Sequence, residues 1–396
     1  MSQSSKRHTN TFLQHAAMAP FDEVTGAAPV PLPSMRTSTV RFRNLEALEG
    51  VASQKKEGKR IFTYGRSGMD THGALESIFC ELETAKYAYL ASSGMAAITL
   101  AFLSFLKQGD HVIVADCSYG PVRRLDAAVL SRFGIKVSYC RAVPDVIKQN
   151  LTPQTRMLYV ESPGSLLLEM LDLPALAQFA TEHNLIMATD NTWGLGFYNP
   201  LELGVDVSVV AGTKYLNGHS DLLLGAVMVN NDELAAQLDS THYALGYSIS
   251  ADDAWLAIRG ARTLPLRLSQ SAESGLKVAK WLRESPIVDK IYYPALDSDD
   301  GHLLWKRDCK GSNGLMSIRL KTSHKNARNF VNSLKLFGIG FSWGGFESLV
   351  QLVDKAALVP HEYWGNSDYP LVRLYVGLEH VDDLIADLQQ AITTIS

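Results

Sequence analysis

The chain has 396 residues, with 37 Lys and Arg against 41 Asp and Glu and a net charge of −4. Hydrophobic residues make up 46% and charged residues 20%, an ordinary globular composition with length for two or three domains. The near-neutral charge without a dense basic run argues against nucleic acid as a partner, and no apolar run reaches the roughly 18 residues of a membrane span.

Residues 1–65 differ from the rest. Pro29, Pro31 and Pro33 break regular structure, which predicts an extended arm lying on something else, a neighbouring subunit in particular. A partly disordered terminus is the alternative. The most basic cluster, residues 55–60, is interrupted by Glu57 and reads as a solvated segment. The basic residues among the first ten are not followed by an apolar region, so no secretory signal is expected and the cytoplasm is the expected location.

Residues 66–265 read as a large domain. Leu75, Ile78, Phe79 and Leu82 predict a helix over 73–83. A second helix, over 94–106, is apolar almost all round and is therefore expected to be buried. Beyond it lie apolar runs at 111–116, 135–140, 157–161, 185–190, 207–211 and 222–229, separated by amphipathic stretches such as 173–183. Continuous apolar strands separated by helices indicate an α/β domain whose mostly parallel sheet is covered on both faces. A helical stretch over 252–280 bridges to the C-terminal part of the chain, with Gly260 and Pro265 expected to interrupt or kink it. Residues 266–396 read as a smaller α/β domain, with strands at 314–320 and 371–376 and helices at 323–334 and 381–395. Cys80, Cys117, Cys140 and Cys309 lack the spacing of a zinc site and suggest no disulfide framework, so no metal is expected.

In open α/β sheets ligands gather at the C-terminal ends of the strands. Four of the apolar runs end in polar groups there, at 116–119, 161–165, 190–193 and 213–221. Lys214 is the sharpest candidate. A lysine held in a pocket has a lowered pKa, because burial disfavours the ammonium, and can then bond a carbonyl. The plain alternative is a surface lysine at the start of a loop. Asp190 ends its run without an obvious partner, and a buried carboxylate needs a cation or a strong donor. The protonated ring nitrogen of a pyridine cofactor would serve, and a helix-capping role is the alternative. Ser92-Ser93-Gly94-Met95 opens the buried helix, where free N–H groups and the helix dipole favour a phosphate. Together, a phosphate cradle, an Asp and a Lys match what pyridoxal 5'-phosphate requires of a protein.

These motifs carry a resemblance. Asp190-Asn191-Thr192-Trp193 with Thr213-Lys214-Tyr215-Leu216-Asn217-Gly218 resembles the signature of the Cys/Met-metabolism family of pyridoxal-phosphate enzymes. Tyr64-Gly65-Arg66, Glu161-Ser162-Pro163-Gly164, Ser342-Trp343-Gly344-Gly345 and the segment from Arg373 to Glu379 fall in family order, from about residue 60 to the C-terminus. The resemblance implies the aspartate aminotransferase-like fold type I. It also implies a cofactor-dependent carbon–sulfur lyase acting on a small amino acid. Glu161-Ser162-Pro163-Gly164-Ser165, Tyr119-Gly120-Pro121 and Ser342-Trp343 are similar to the β-eliminating branch, as is Trp305-Lys306-Arg307-Asp308 followed by Gly311-Ser312. That branch cleaves L-cystathionine to homocysteine, pyruvate and ammonia. The alternatives are a γ-type relative (cystathionine γ-lyase, γ-synthase or methionine γ-lyase), a broad cysteine-S-conjugate β-lyase, or a binding protein that has lost activity. Intact Lys214, Asp190, Tyr119 and Arg373 argue against the last.

Residue roles follow from the resemblance. Lys214 would bond the cofactor aldehyde and then move protons. Asp190 would hold the ring nitrogen, and Tyr119 would stack on the ring and assist proton transfer. Gly94 and Met95 N–H groups and the Thr213 hydroxyl would hold the phosphate. Tyr64 and Arg66 would reach it from the neighbouring subunit, implying a homo-oligomer, a tetramer built as a dimer of dimers. Arg373 would grip the substrate carboxylate, with Ser342, Trp343 and Tyr119 lining the pocket and Tyr243 near the substrate side chain. Ala211 departs from the pattern, since many members carry Ser there. Ser93 is the expected compensating hydroxyl.

Overall fold

The computed structural model describes residues 7–56, 61–365 and 367–395. Of the basic cluster expected to be solvated, residues 57–60 and the side chains of Lys55 and Lys56 lie outside that description.

The larger sheet has seven strands: β1 (Tyr87–Ala91), β2 (His111–Ala115), β3 (Lys136–Cys140), β4 (Thr155–Glu161), β5 (Ile186–Asp190), β6 (Val207–Val210) and β7 (Gly225–Val229). Their order is β1-β7-β6-β5-β4-β2-β3, and β7 alone runs against the other six. This is the expected mostly parallel α/β sheet. β2, β6 and β7 are buried along their whole length, as mostly apolar strands must be when helices cover both faces, with the buried His111 and Ser208 bonded to other side chains. Six strands therefore finish at one edge, and β7 begins there.

The Asp70–Glu83 helix buries Leu75, Ile78, Phe79 and Leu82, whose spacing predicts it. Each such side chain contributes about 1.5–3 kcal/mol on burial. The Gly94–Phe105 helix packs on β6 and β7 and buries six residues, among them Ile98, Leu100 and Phe102. The predicted bridge is two helices, Ala251–Ala261 and Leu264–Arg283. The break falls at Arg262 and Thr263. Gly260 stays inside the first helix, and Pro265 sits in the first turn of the second, where a missing N–H costs no intrahelical bond.

A second sheet contains β8 (Val288–Tyr292), β9 (Leu315–Leu320), β10 (Gly338–Ile339), β11 (Leu349–Leu352) and β12 (Leu371–Tyr375). Its order is β10-β11-β12-β9-β8, antiparallel except between β10 and β11. Val278 and Leu282 of the long helix, Phe330 and Leu388 form one core with Ile318 and Leu374 of this sheet.

Several elements differ from the sequence expectation. β1 carries no continuous apolar run, because Tyr87, Ala88 and Tyr89 are only half-buried. The run at 222–229 becomes a strand only at Gly225, since the Leu224 N–H and carbonyl both bond the Thr213 hydroxyl. The N-terminal region is not wholly extended: Thr9–His15, Leu45–Glu49 and Val51–Lys56 are short helices. Thr9–His15 lies on the chain's own body, with Leu13 buried, Thr9 donating to Glu81 at 2.9 Å and Gln14 donating to the Arg262 carbonyl at 2.7 Å. Phe21, Val24 and Val30 remain exposed. No helix among the described residues is long and apolar enough to cross a membrane.

Candidate active site

The shared sheet edge collects the predicted residues. Gly94 and Met95 follow β1, Tyr119 follows β2, Glu161 ends β4, Asp190 ends β5 and Lys214 follows β6. The second sheet adds Arg373 from β12 and Ser342 and Trp343 from the loop between β10 and β11.

Lys214 is mostly enclosed. Its Nζ donates to Ser342 Oγ at 2.6 Å and lies 5.2 Å from the Trp343 ring centroid. Burial, and then the Arg373 charge, push the amine down from 10.5 to about 8, while Asp190 pulls the other way. The turn that carries it is pinned from below. Arg267 of the Leu264–Arg283 helix donates to the carbonyls of Tyr215 at 2.8 Å, Leu216 at 3.2 Å and Gly260 at 2.9 Å. Gly218 takes a positive φ of +68°, and a Cβ there would collide with the Arg267 guanidinium. One turn further along that helix, Ser271 donates to the Val376 carbonyl at 2.6 Å, just beyond β12.

Asp190 is buried and accepts the Thr192 N–H at 2.9 Å. Burial raises its carboxyl, and hydrogen bonds from Thr192 and the charge of Lys214 pull it back. Glu161 sits directly opposite on β4. It accepts the Tyr119 N–H at 2.6 Å and the Ser165 hydroxyl at 2.8 Å. Burial and then Asp190 push the Glu161 carboxyl well up.

The expected phosphate cradle has a steric signature. A Cβ on Gly94 would stand 2.7 Å from the Ala211 Cβ, and one on Gly225 would run into the Ser93 carbonyl. Three chain segments thus meet at backbone distance. Ser93 caps the helix, its hydroxyl accepting from the Ala96 N–H at 3.1 Å. The Gly94 and Met95 N–H groups have no acceptor among the described residues. The Thr213 hydroxyl, expected to face the phosphate, donates to the Leu224 carbonyl at 3.1 Å and accepts from its N–H at 2.9 Å.

On the expected substrate side, Arg373 donates to the Ser342 carbonyl at 3.1 Å. Burial pushes its guanidinium down to about 10, and Tyr119 acts on it in the opposite sense. Ser342 holds a positive φ of +83°, an unusual conformation for a side chain with a Cβ. Gly344, at φ +90°, lies against Lys214, where a Cβ would approach the Lys214 carbonyl carbon to 3.0 Å. Tyr119 as a whole is 43% exposed. Burial raises its phenol, as do the nearby Glu161 and Asp190 charges, while Arg373 lowers it.

Tyr64 and Arg66 lie elsewhere on this chain. Tyr64 is exposed and forms a bridge with Thr39. Arg66 stacks its guanidinium 4.5 Å over the Tyr243 ring and donates to the Tyr243 carbonyl at 3.0 Å. The structure thus brings Lys214, Asp190, Tyr119, Arg373, Ser342 and Trp343 together, and pairs Arg66 with Tyr243.

Two contributors escape the sequence reading. Glu161 enters it within the strand-end group 161–165 and the motif, but with no role of its own. Arg267 gives none, because its partners are backbone carbonyls, two of them far away in sequence.

The residues fit pyridoxal phosphate. Gly94 and Met95 offer unpaired N–H groups, Asp190 an enclosed carboxylate with no ion-pair partner among the described residues, and Lys214 an amine easily deprotonated. Comparison with known proteins agrees. A family model described as "Cys/Met metabolism PLP-dependent enzyme" matches residues 11–393. The cystathionine β-lyase of Bordetella avium is 57% identical over 393 residues, covering 99% of each chain. The cystathionine β-lyase of Escherichia coli strain K12 is 38% identical over 369 residues, covering 91% of this chain and 92% of its own. A crystal structure of cystathionine γ-synthase from Xanthomonas oryzae pv. oryzae, in complex with cystathionine, superposes with a TM-score of 0.88 at 30% identity, covering 98% of each chain.

Proposed function

The chain belongs to the Cys/Met-metabolism family of pyridoxal-phosphate-dependent enzymes, and from that premise we propose that it is a carbon–sulfur β-lyase. It cleaves L-cystathionine to homocysteine, pyruvate and ammonia, a step of methionine biosynthesis. The observation that carries the reaction is the Lys214 amine, lowered to about 8 and held 2.6 Å from Ser342, whose carbonyl accepts from Arg373. A proton-moving amine and a carboxylate grip thereby share one residue. The choice of β-elimination rests on likeness to two cystathionine β-lyases.

Each side chain has a role in this proposal. The bound cofactor supplies an electron sink for negative charge at the substrate Cα. Asp190 holds its ring nitrogen, and Gly94, Met95 and Thr213 hold its phosphate, Thr213 by turning its hydroxyl from Leu224. Lys214 removes the Cα proton and, with Tyr119, delivers a proton to the leaving sulfur. Arg373 clamps the α-carboxylate through its planar fork, which fixes the direction of the Cα–H bond. Ser342 and Trp343 line the pocket beside Lys214. Tyr64 and Arg66 serve the site of a neighbouring subunit.

The same proposal makes the protein a cytoplasmic homo-oligomer, a dimer of dimers. Exposed Phe341, Phe346 and Leu223 beside the site, and exposed Tyr64, support a covering partner. An arm over 1–65, a large domain over 66–265 and a C-terminal domain over 266–396 remain the proposed division. The deciding assay is the keto acid released from L-cystathionine. Pyruvate supports the proposal. 2-Oxobutyrate overturns it in favour of a γ-type lyase.

A further inference from the structure

Behind Asp190 lies a second buried acid with no part in the chemistry above. Glu83 is the last residue of the Asp70–Glu83 helix and is wholly buried. Both facts work against a carboxylate there. Burial penalises its charge, and a helix C-terminus carries the negative end of the backbone dipole. Burial is the main cause that pushes its carboxyl up to about 7. Its two hydrogen bonds oppose the shift, and the Asp190 charge adds to it.

The two oxygens of Glu83 reach two different strands. Oε1 accepts from Asn191 Nδ2 at 2.8 Å, and Oε2 accepts from the Ser208 hydroxyl at 2.6 Å. Asn191 directly follows Asp190, and Ser208 sits on β6 opposite Thr189 of β5. The Asn191 amide also donates to the Tyr198 carbonyl at 2.7 Å, and its backbone N–H to the Val209 carbonyl at 2.8 Å. All three N–H donors of Asn191 are therefore committed. Rotation of that residue would break bonds on the helix, on β6 and on the following turn at once.

We propose that Glu83 is a positioning residue for the cofactor end of the site: by tying Asn191 and Ser208 to one helix end, it fixes the direction in which Asp190 presents its carboxylate. This rests on the assignment of Asp190 to the cofactor ring nitrogen. Glu83 touches neither substrate nor cofactor and is not a catalytic residue. Its acceptors matter more than its charge, since both partners are neutral donors.

The test measures the dissociation constant of pyridoxal phosphate from the cofactor-free protein, together with the long-wavelength absorption band of the loaded protein. Glu83→Ala is expected to weaken cofactor binding by roughly tenfold to a hundredfold and to shift the band, as expected when buried donors lose their acceptor. Glu83→Gln keeps an acceptor for Asn191 and a group that can donate to Ser208. It is expected to stay within about threefold of the parent, with the parent's band. Should Glu83→Ala fail to fold, Ser208→Ala removes one tie alone, with an expected loss of roughly threefold to tenfold. The proposal is overturned if Glu83→Ala, or Ser208→Ala in its place, binds and absorbs like the parent. It is equally overturned if Glu83→Gln loses as much as Glu83→Ala, since charge rather than position would then be at work. Failure of the underlying assignment looks different: Asp190→Asn would leave cofactor affinity and band unchanged, whatever the Glu83 variants do.

Discussion

The two poles of the site are built by different means. At the Asp190 pole the acidic and amide groups stand at the end of a strand of the large sheet, held by the neighbouring strand, by a helix end and by the following turn. Asp190 faces Glu161 across a strand pair, and Asn191 is tied to Glu83 and Tyr198. At the Arg373 pole the parts come from a strand of the second sheet, a loop with positive φ at Ser342 and Gly344, and the half-exposed Tyr119. The first pole is enclosed and densely hydrogen-bonded, as suits a cofactor that stays. The second is open on one side, as suits a substrate that comes and goes.

Lys214 stands between the two poles, and its loss should break the comparison outright. Lys214→Ala is expected to lower pyruvate release from L-cystathionine by roughly 10³-fold, without changing the secondary structure seen by circular dichroism. Variants of one pole should then spare the other. Arg373→Lys gives up the two-donor fork, so KM for cystathionine should rise by roughly tenfold to a hundredfold, with cofactor affinity unchanged in an equilibrium titration. Gly94→Ala forces a Cβ to within 2.7 Å of the Ala211 Cβ. It should cost about 1–3 kcal/mol in cofactor binding while leaving KM for the loaded enzyme as it was. Ser93→Ala removes a helix cap, and a loss of about 1 kcal/mol should appear in thermal unfolding. If cofactor affinity also falls, Ser93 does stand in for the hydroxyl that Ala211 lacks.

A pH profile sharpens the same contrast. Only the deprotonated lysine reacts with acetic anhydride. Because the amine is pushed down to about 8, labelling of Lys214 in the cofactor-free protein should rise through pH 8 and level off above it. An ordinary lysine would still be rising near 10.5, and such a profile for Lys214 would show that the site does not enclose it.

The Asp190 pole is largely legible in the sequence. A strand buried on both faces leaves a mostly apolar run, and polar residues at or just past its end stand out, so Asp190 and Lys214 are candidates that the surrounding motifs then single out. Gly94 stands out because a glycine that opens an apolar helix marks a place where something must come close to the backbone. The other pole is not legible in this way. Arg373 lies within the run Leu371–Tyr375, and Ser342 lies in a loop; only the family resemblance singles them out. Tertiary partners are the hardest to see. Glu83 looks like one more acid in an amphipathic helix, and Arg267 like one more basic residue on a long one. Their meaning depends on segments brought together only by folding. β10 and β11, two and four residues long, carry too little pattern to register as strands.

Arg267 and Ser271 lie four residues apart, on one face of the Leu264–Arg283 helix. The first grips the turn that carries Lys214, and the second grips the chain just past the strand that carries Arg373. A single helical turn, about 6 Å long by the helical rise, thus separates the anchors of the two segments that carry the amine and the guanidinium. One helix gauges the backbone spacing of the two segments, and the Lys214 and Arg373 side chains complete the span between the charged groups. A substrate whose carboxylate stands too far from its reacting carbon would fail at that gauge, whatever else in the pocket welcomed it.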